Sequence, residues 1–254
     1  MRKTVLAVAL ISAFAAGQAS AEPIHRWDGF YGGANVGGTW GQAESDTSCS
    51  SPVPFACPVA AFLGQPPTGF SADTKGVIGG GQIGYNFQYV HWVFGAEADF
   101  DWTNADGSDT RSSMLLVPFL PVSATASTSL DWLGTVRGRI GYASGDLLVY
   151  ATGGLAYGKV KESFSYTASV LAFPFFSANG GGSDTQTGWT VGGGAELALD
   201  KSWSIKGEYL FYDLGSQNVS APWTFLGVAV PGSFPVETKV DGQIARVGLN
   251  YNFH

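Results

Sequence analysis

The chain has 254 residues, with 13 Lys and Arg against 20 Asp and Glu, a formal net charge of −7. Charged residues make up 13% of it, where about 25% is usual, while aromatics reach 14% and glycines number 36. The acidic balance argues against nucleic acid and other polyanions as partners, and so little charge beside so many aromatics argues against a soluble protein with a charged exterior.

The first residues, Met1 to Thr4, are basic, residues 5–16 are apolar, and Ala19, Ser20 and Ala21 form a small-residue cleavage site. This predicts a secretory signal peptide over 1–21 and one exported domain over 22–254. The apolar run is shorter than the ~20 residues that a spanning helix needs. Loss of Arg2 and Lys3 with the leader leaves 11 basic residues, net −9.

From there the chain alternates with a period of two, the signature of β-strands. Residues 28–40 set Phe30, Ala34, Val36 and Trp40 against Tyr31, Gly33, Asn35 and Thr39. Cys49 and Cys57 follow in a Pro-rich stretch and are expected to form a disulfide in an exported chain. Residues 77–89 set Val77, Ile83, Tyr85, Phe87 and Tyr89 against Gln82, Asn86 and Gln88. Residues 92–102 set Trp92, Phe94, Phe100 and Trp102 against Glu97, Asp99 and Asp101. Residues 130–142 set Trp132, Val136, Ile140 and Tyr142 against Asp131, Thr135, Arg137 and Arg139.

The second half continues in the same way. Residues 149–160 set Val149, Ala151, Leu155 and Tyr157 against Tyr150, Thr152 and Ala156. Residues 189–199 set Trp189, Val191 and Leu197 against Thr190 and Glu196, and residues 203–211 set Trp203, Ile205 and Tyr209 against Lys206 and Glu208. The last stretch, 243–253, sets Ala245, Val247, Leu249, Tyr251 and Phe253 against Ile244, Arg246, Asn250 and Asn252.

Eight such segments, joined alternately by short links near 90, 145 and 201 and long ones over 41–74, 103–129, 161–186 and 214–239, predict an all-β fold. It is an eight-stranded antiparallel transmembrane up-and-down β-barrel with short periplasmic turns and four long extracellular loops. The apolar faces begin and end in Trp, Tyr or Phe, an aromatic girdle at each interface. The other face then lines the lumen, and Glu97, Asp99, Asp101, Arg137, Arg139, Glu196, Lys206, Glu208 and Arg246 are the candidate site residues. An eight-stranded interior is just wide enough for side chains to fill. Charges there must pair, so they are expected to plug the lumen as an ion-pair network; a narrow pore lined by the same charges is the alternative. Around residues 200–202, setting Leu199 opposite Trp203 sets Glu196 opposite Lys206.

Gly79, Gly81 and Gly84 match G-x-G-x-x-G, but a strand runs through them where the dinucleotide motif needs a helix. His25, His91 and His254 all lie away from the long links, so no enzyme, cofactor or metal is expected. Each long link contains an apolar stretch, over 52–63, 114–122, 170–176 and 225–236. These stretches either pack on one another or extend the strands, or else they offer an apolar surface to a host or envelope partner.

The motif Trp27-Asp28-Gly29-Phe30-Tyr31 with Gly33, together with GQIGYN at 81–86, FGAEADF at 94–100 and LGTVRGRIGY at 133–142, resembles a known family. YATGGLAYG at 150–158, WTVGGGA at 189–195, EYLFYDLG at 208–215 and residues 246–253 extend the match over essentially every strand. The family is that of the small alphaproteobacterial outer-membrane immunogenic or porin-family proteins, similar to the eight-stranded outer-membrane protein A barrel. The resemblance implies contact with outer-membrane lipid and a role in envelope integrity or surface interaction. Some relatives are described as porins and others as haemin binders, for which Tyr166 is the loop residue that could ligate iron. It also implies that Tyr251 and Phe253 form the signal read by the barrel-insertion machinery, with His254 an addition to the usual terminal Phe. No peptidoglycan-binding domain is expected after the barrel.

Overall fold

The computed structural model describes residues 27–51, 69–114, 121–170 and 173–253. The predicted leader, His25, Cys57, His254 and the apolar stretch at 52–63 lie outside them. The described chain forms eight strands: β1 Gly29–Thr47, β2 Phe70–Tyr89, β3 Trp92–Met114, β4 Pro121–Ser144, β5 Leu147–Val170, β6 Phe173–Ala198, β7 Trp203–Phe225 and β8 Val228–Phe253. Each pairs antiparallel with the next, and β1 pairs with β8, so the sheet closes into a barrel without free edges. Closure runs from Phe30 opposite Phe253 to Thr47 opposite Val236.

The short turns fall where the sequence places them, between Tyr89 and Trp92, Ser144 and Leu147, and Ala198 and Trp203. The long loops do not. Most of the residues assigned to them continue the strands, and the link expected over 214–239 is a two-residue turn at Leu226 and Gly227 with Phe225 opposite Val228. The strands are 19 to 26 residues long, about twice the 9–11 residues that cross a bilayer. The barrel therefore extends well beyond the membrane on its extracellular side.

Outward aromatics mark the membrane-spanning part. Trp92 packs edge-on against Tyr142, and Trp203 against Tyr251, at the periplasmic end. Trp40 lies beside Tyr209, Phe100 beside Trp132 and Trp189 beside Phe211 at the other. Between these rings the outward face carries exposed apolar side chains such as Ile83, Val136, Leu155 and Val247.

Near the outer ring the ladders slip, between Trp102 and Ala105, between Leu130 and Trp132, and between Asp213 and Ser216. Such bulges swap the inward and outward parity of a strand. On β4, Leu133, Thr135 and Arg137 point inward below the slip, and Leu130, Thr128 and Ala126 above it. Asp131, expected inward with Arg137, is instead on the outer wall, 2.8 Å from Lys161 Nζ. The ladder between β6 and β7 lapses between Ala178 opposite Trp223 and Trp189 opposite Asp213. Side chains join the strands there: Gln186 Nε2 donates to Gln217 Oε1 at 2.6 Å, and Gln217 Nε2 to Asp184 Oδ2 at 2.8 Å.

The interior is layered. At the periplasmic floor Trp27 packs with Val93, Ala143, Leu148 and Tyr150, and its backbone N–H donates to Gln88 Oε1 at 2.7 Å. A charged layer lies above. Then comes an apolar layer that includes Ile78, Leu133, Leu210, Tyr212 and Ile244. The extracellular end is filled by Phe70, Phe164, Tyr166, Trp223 and Phe234.

Candidate functional site

The charged layer is assembled by parity and closure. Period two sends Glu97, Asp99 and Asp101 of β3 inward, and likewise Arg137 and Arg139 of β4, Glu196 of β6, Lys206 and Glu208 of β7, and Arg246 of β8. Closure then brings β3, β4, β7 and β8 to one axis, so that charges from strands that do not pair can meet.

Two arginines are the hubs. Arg137 Nη2 donates to Glu97 Oε1 at 2.5 Å and to Asp99 Oδ2 at 2.8 Å, and its Nη1 donates to Glu208 Oε1 at 3.0 Å. Arg246 donates from Nη1 to Asp101 Oδ2 at 2.5 Å, and from Nη2 to Asp99 Oδ2 at 2.9 Å and Glu208 Oε2 at 2.6 Å. The planar guanidinium fork lets one cation serve three carboxylates at once. Lys206 Nζ reaches both Glu97 oxygens, at 2.9 and 2.8 Å. Arg139 Nη1 lies 3.3 Å from Glu196 Oε2, with its guanidinium over the rings of Tyr31 and Tyr150 at 4.7 and 5.1 Å.

All nine predicted charges are thus brought together. The expected pairing of Glu196 with Lys206 is not. They face each other in the β6–β7 register, but Lys206 crosses the lumen to Glu97. Glu196 turns to Arg139 and accepts from Ser204 Oγ at 2.6 Å and Asn250 Nδ2 at 2.8 Å. In a lumen this narrow, a carboxylate across the barrel is within reach of Lys206, while Arg139, Ser204 and Asn250 already occupy Glu196.

The sequence reading did not assign the neutral partners. Tyr31 Oη donates to Glu97 Oε2 at 2.7 Å, Tyr150 Oη to Glu208 Oε1 at 3.0 Å, and Thr135 Oγ1 to Asp99 Oδ2 at 2.8 Å. Gln82 links Asn35 and Asn250, both at 2.7 Å. A signal for the tyrosines exists in glycine placement. A Cβ at Gly84 would fall 2.2 Å from Tyr31 Oη, and one at Gly194 2.8 Å from Tyr150 Oη. Glycine on the neighbouring strand is what lets each large ring lie flat against the wall and reach inward.

Five carboxylates thus face four cations in a volume closed to solvent. The side chains of the ion pairs are at most 2% exposed. Ions this desolvated are tolerated because each meets at least one opposite charge, although among the described residues Asp99 Oδ1, Asp101 Oδ1, Arg137 Nε and Arg139 Nη2 have no hydrogen-bond partner. No acid or base here is open to a substrate.

Of the other predicted residues, Tyr251 and Phe253 point outward at the periplasmic rim with ring centroids 5.1 Å apart. Cys49 packs against the extracellular aromatic core and is not a free thiol. Tyr166 is 1% exposed, enclosed by Phe176 and Phe234, so it is closed to a haemin iron. Of the apolar stretch at 225–236, Phe234 and Val236 enter the core, while Leu226 and Val228 are exposed at the turn.

A family model described as the outer membrane protein β-barrel domain matches residues 6–253. The chain is 37% identical over 229 residues to the 31 kDa outer-membrane immunogenic protein of Brucella melitensis biotype 1, covering 89% of this chain and 84% of that protein. It is 28% identical to the 22 kDa outer membrane protein of Rhizobium leguminosarum bv. viciae, covering 79% of this chain and 71% of that protein. It is 24% identical to the 25 kDa outer-membrane immunogenic protein of Brucella abortus biovar 1, covering 91% and 81% respectively.

Proposed function

The chain belongs to the outer membrane protein β-barrel domain family, and on that premise we propose that it is a non-conducting barrel. In this reading it contributes to envelope integrity and presents a folded surface outside the cell. The observation that carries this reading is the burial of the ion pairs, whose side chains are at most 2% exposed. A permeating ion would have to part Arg137 and Arg246 from their carboxylates and then cross the apolar layer of Ile78, Leu133 and Ile244. The same burial supports a role without catalysis.

Its contacts are lipid along the outward apolar belt, the insertion machinery through Tyr251 and Phe253, and a host or envelope partner at the extracellular end. The exposed Leu226 and Val228 support the last. Residues 1–21 serve as the export signal, and Cys49 pairs with Cys57; the absence of a free thiol at Cys49 supports that pairing. The relatives named immunogenic fit a protein displayed at the surface.

The mature chain, refolded and inserted into planar bilayers, is expected to give no single-channel steps. Reproducible steps whose ion selectivity changes in Glu196→Lys would overturn this reading in favour of a porin-like channel for small solutes.

A further inference from the structure

Above the apolar layer the interior holds one more buried carboxylate, that of Glu162 on β5. It points inward between Val160 and Phe164 and is 8% exposed, and among the described residues no donor reaches either oxygen in full hydrogen-bond geometry. The nearby lysines of the wall are committed outside the barrel, Lys161 to Asp131 at 2.8 Å and Lys239 to Asp213 at 3.3 Å. A carboxylate taken out of water with no cation beside it, and only the Thr238 hydroxyl acting on it, is strongly disfavoured. The charges in the layer below each have a partner, so Glu162 stands apart from them.

Glu162 borders a small, partly open cavity with about 10 Å³ of space for a water-sized sphere, room for one small occupant, and with Thr128 it also edges a wider open cleft that Asp106 and Lys161 line. Ser45, Thr128 and Thr238 line the same cavity, and Phe164 and Val236 close it. Ser45 Oγ and Thr238 Oγ1 lie 2.9 Å apart. These side chains offer only hard oxygen donors, and one carboxylate supplies the only formal charge.

We propose that this cavity binds one monovalent cation of about the size of sodium, held by the Glu162 carboxylate and the hydroxyls of Ser45, Thr128 and Thr238. Hard oxygens select alkali and alkaline-earth ions over metals that favour sulfur or imidazole. A single carboxylate neutralises a single positive charge. A divalent ion would leave positive charge buried, and calcium takes six to eight oxygens, more than this cavity supplies. The cation would tie β1, β4, β5 and β8 together at the base of the extracellular aromatic core.

A proton is the competitor. Burial pushes the Glu162 carboxyl up to about 7; Thr238 opposes this and Asp184, the charged group acting from β6, adds to it. The groups lining the cavity from β1, β4 and β8 are uncharged. Without a cation, the raised carboxyl contributes stability that is full below the ordinary carboxylate range and is lost as pH rises through about 7. The cation therefore stabilises above that pH and has no site below it.

The test is thermal unfolding of the refolded full-length mature barrel in non-ionic detergent, in sodium chloride and in N-methylglucamine chloride of equal ionic strength. At about pH 8, sodium is expected to raise the Tm saturably by several degrees, and at about pH 5.5 to do nothing. Glu162→Gln should give the same Tm in both salts. Sodium-23 NMR on the unmutated barrel, with excess line broadening at about pH 8 that acid removes, decides the matter should that variant fail to fold. Equal Tm values in the two salts at about pH 8, a sodium effect that survives in Glu162→Gln, or no excess broadening would each overturn the proposal and leave a water or a proton as the occupant.

Discussion

Strand β5 passes through two different proteins in effect. From Leu147 to Tyr157 it turns Leu147, Val149, Ala151 and Leu155 outward and Tyr150 and Thr152 inward. From Lys159 to Ser169 it turns Lys159, Lys161, Ser163, Ser165 and Thr167 outward and, with Glu162 the one charge among them, Val160, Phe164, Tyr166 and Ala168 inward. The inward parity never changes, but its polarity reverses. Below the outer aromatic ring the barrel is apolar outside and charged within; above it, polar outside and aromatic within. The surrounding medium explains the reversal. In lipid the outer face gains nothing from polar groups, and the interior can hold charges if they pair. In water the outer face must be polar, and burial of apolar surface has to come from the interior.

One closed sheet is thus stabilised by two different means along its length, and variants can separate them. The largest effect is expected from Arg137→Met. It strips Glu97, Asp99 and Glu208 of a shared partner, at about 3–5 kcal/mol. Urea unfolding in detergent should show the loss across the whole barrel; a change below about 1 kcal/mol would mean that the network contributes little. Next is Trp223→Ala, at roughly 3 kcal/mol. Trp223 packs 5.2 Å from Phe234 and 5.8 Å from Phe176, so the damage should be local. Limited proteolysis should cut the extracellular half while the membrane-spanning half stays protected, and equal protection of both halves would contradict their independence. The last pair contrasts the outer faces, and its second member is the smallest effect of all. Val136→Lys should cost roughly 2–4 kcal/mol at the level of the lipid core, and Ser163→Lys no more than about 0.5 kcal/mol. Similar losses at both positions in lipid vesicles would show that the polarity boundary is misplaced.

Much of this was legible before any coordinates. The alternation in 92–102 put Glu97, Asp99 and Asp101 on one face, and that in 203–211 put Lys206 and Glu208 on one face, because a strand has only two. The tight turn near 201 fixed the register that sets Glu196 opposite Lys206. The extracellular strands were not legible as strands. In PVSATASTSL at 121–130 the inward residues are Val122, Ala124, Ala126, Thr128 and Leu130 against Ser and Thr, and such small contrasts resemble a loop. Glu162 was hidden there for the same reason. Asp131 was misassigned because a one-residue slip at Leu130 reverses every face beyond it.

Local sequence pattern set the number of strands, their tight periplasmic turns and, by parity below the β4 slip, which side chains of the membrane-spanning part point inward. These follow from local rules of period two and turn chemistry. The tertiary structure alone decided that Lys206 meets Glu97 rather than Glu196, that Arg246 meets Asp101, and that the inward face changes from charged to aromatic at the outer ring. The first two need closure, which makes strands far apart in the chain neighbours across a narrow lumen. The last needs the height at which lipid gives way to water, and no local pattern in the chain records that height.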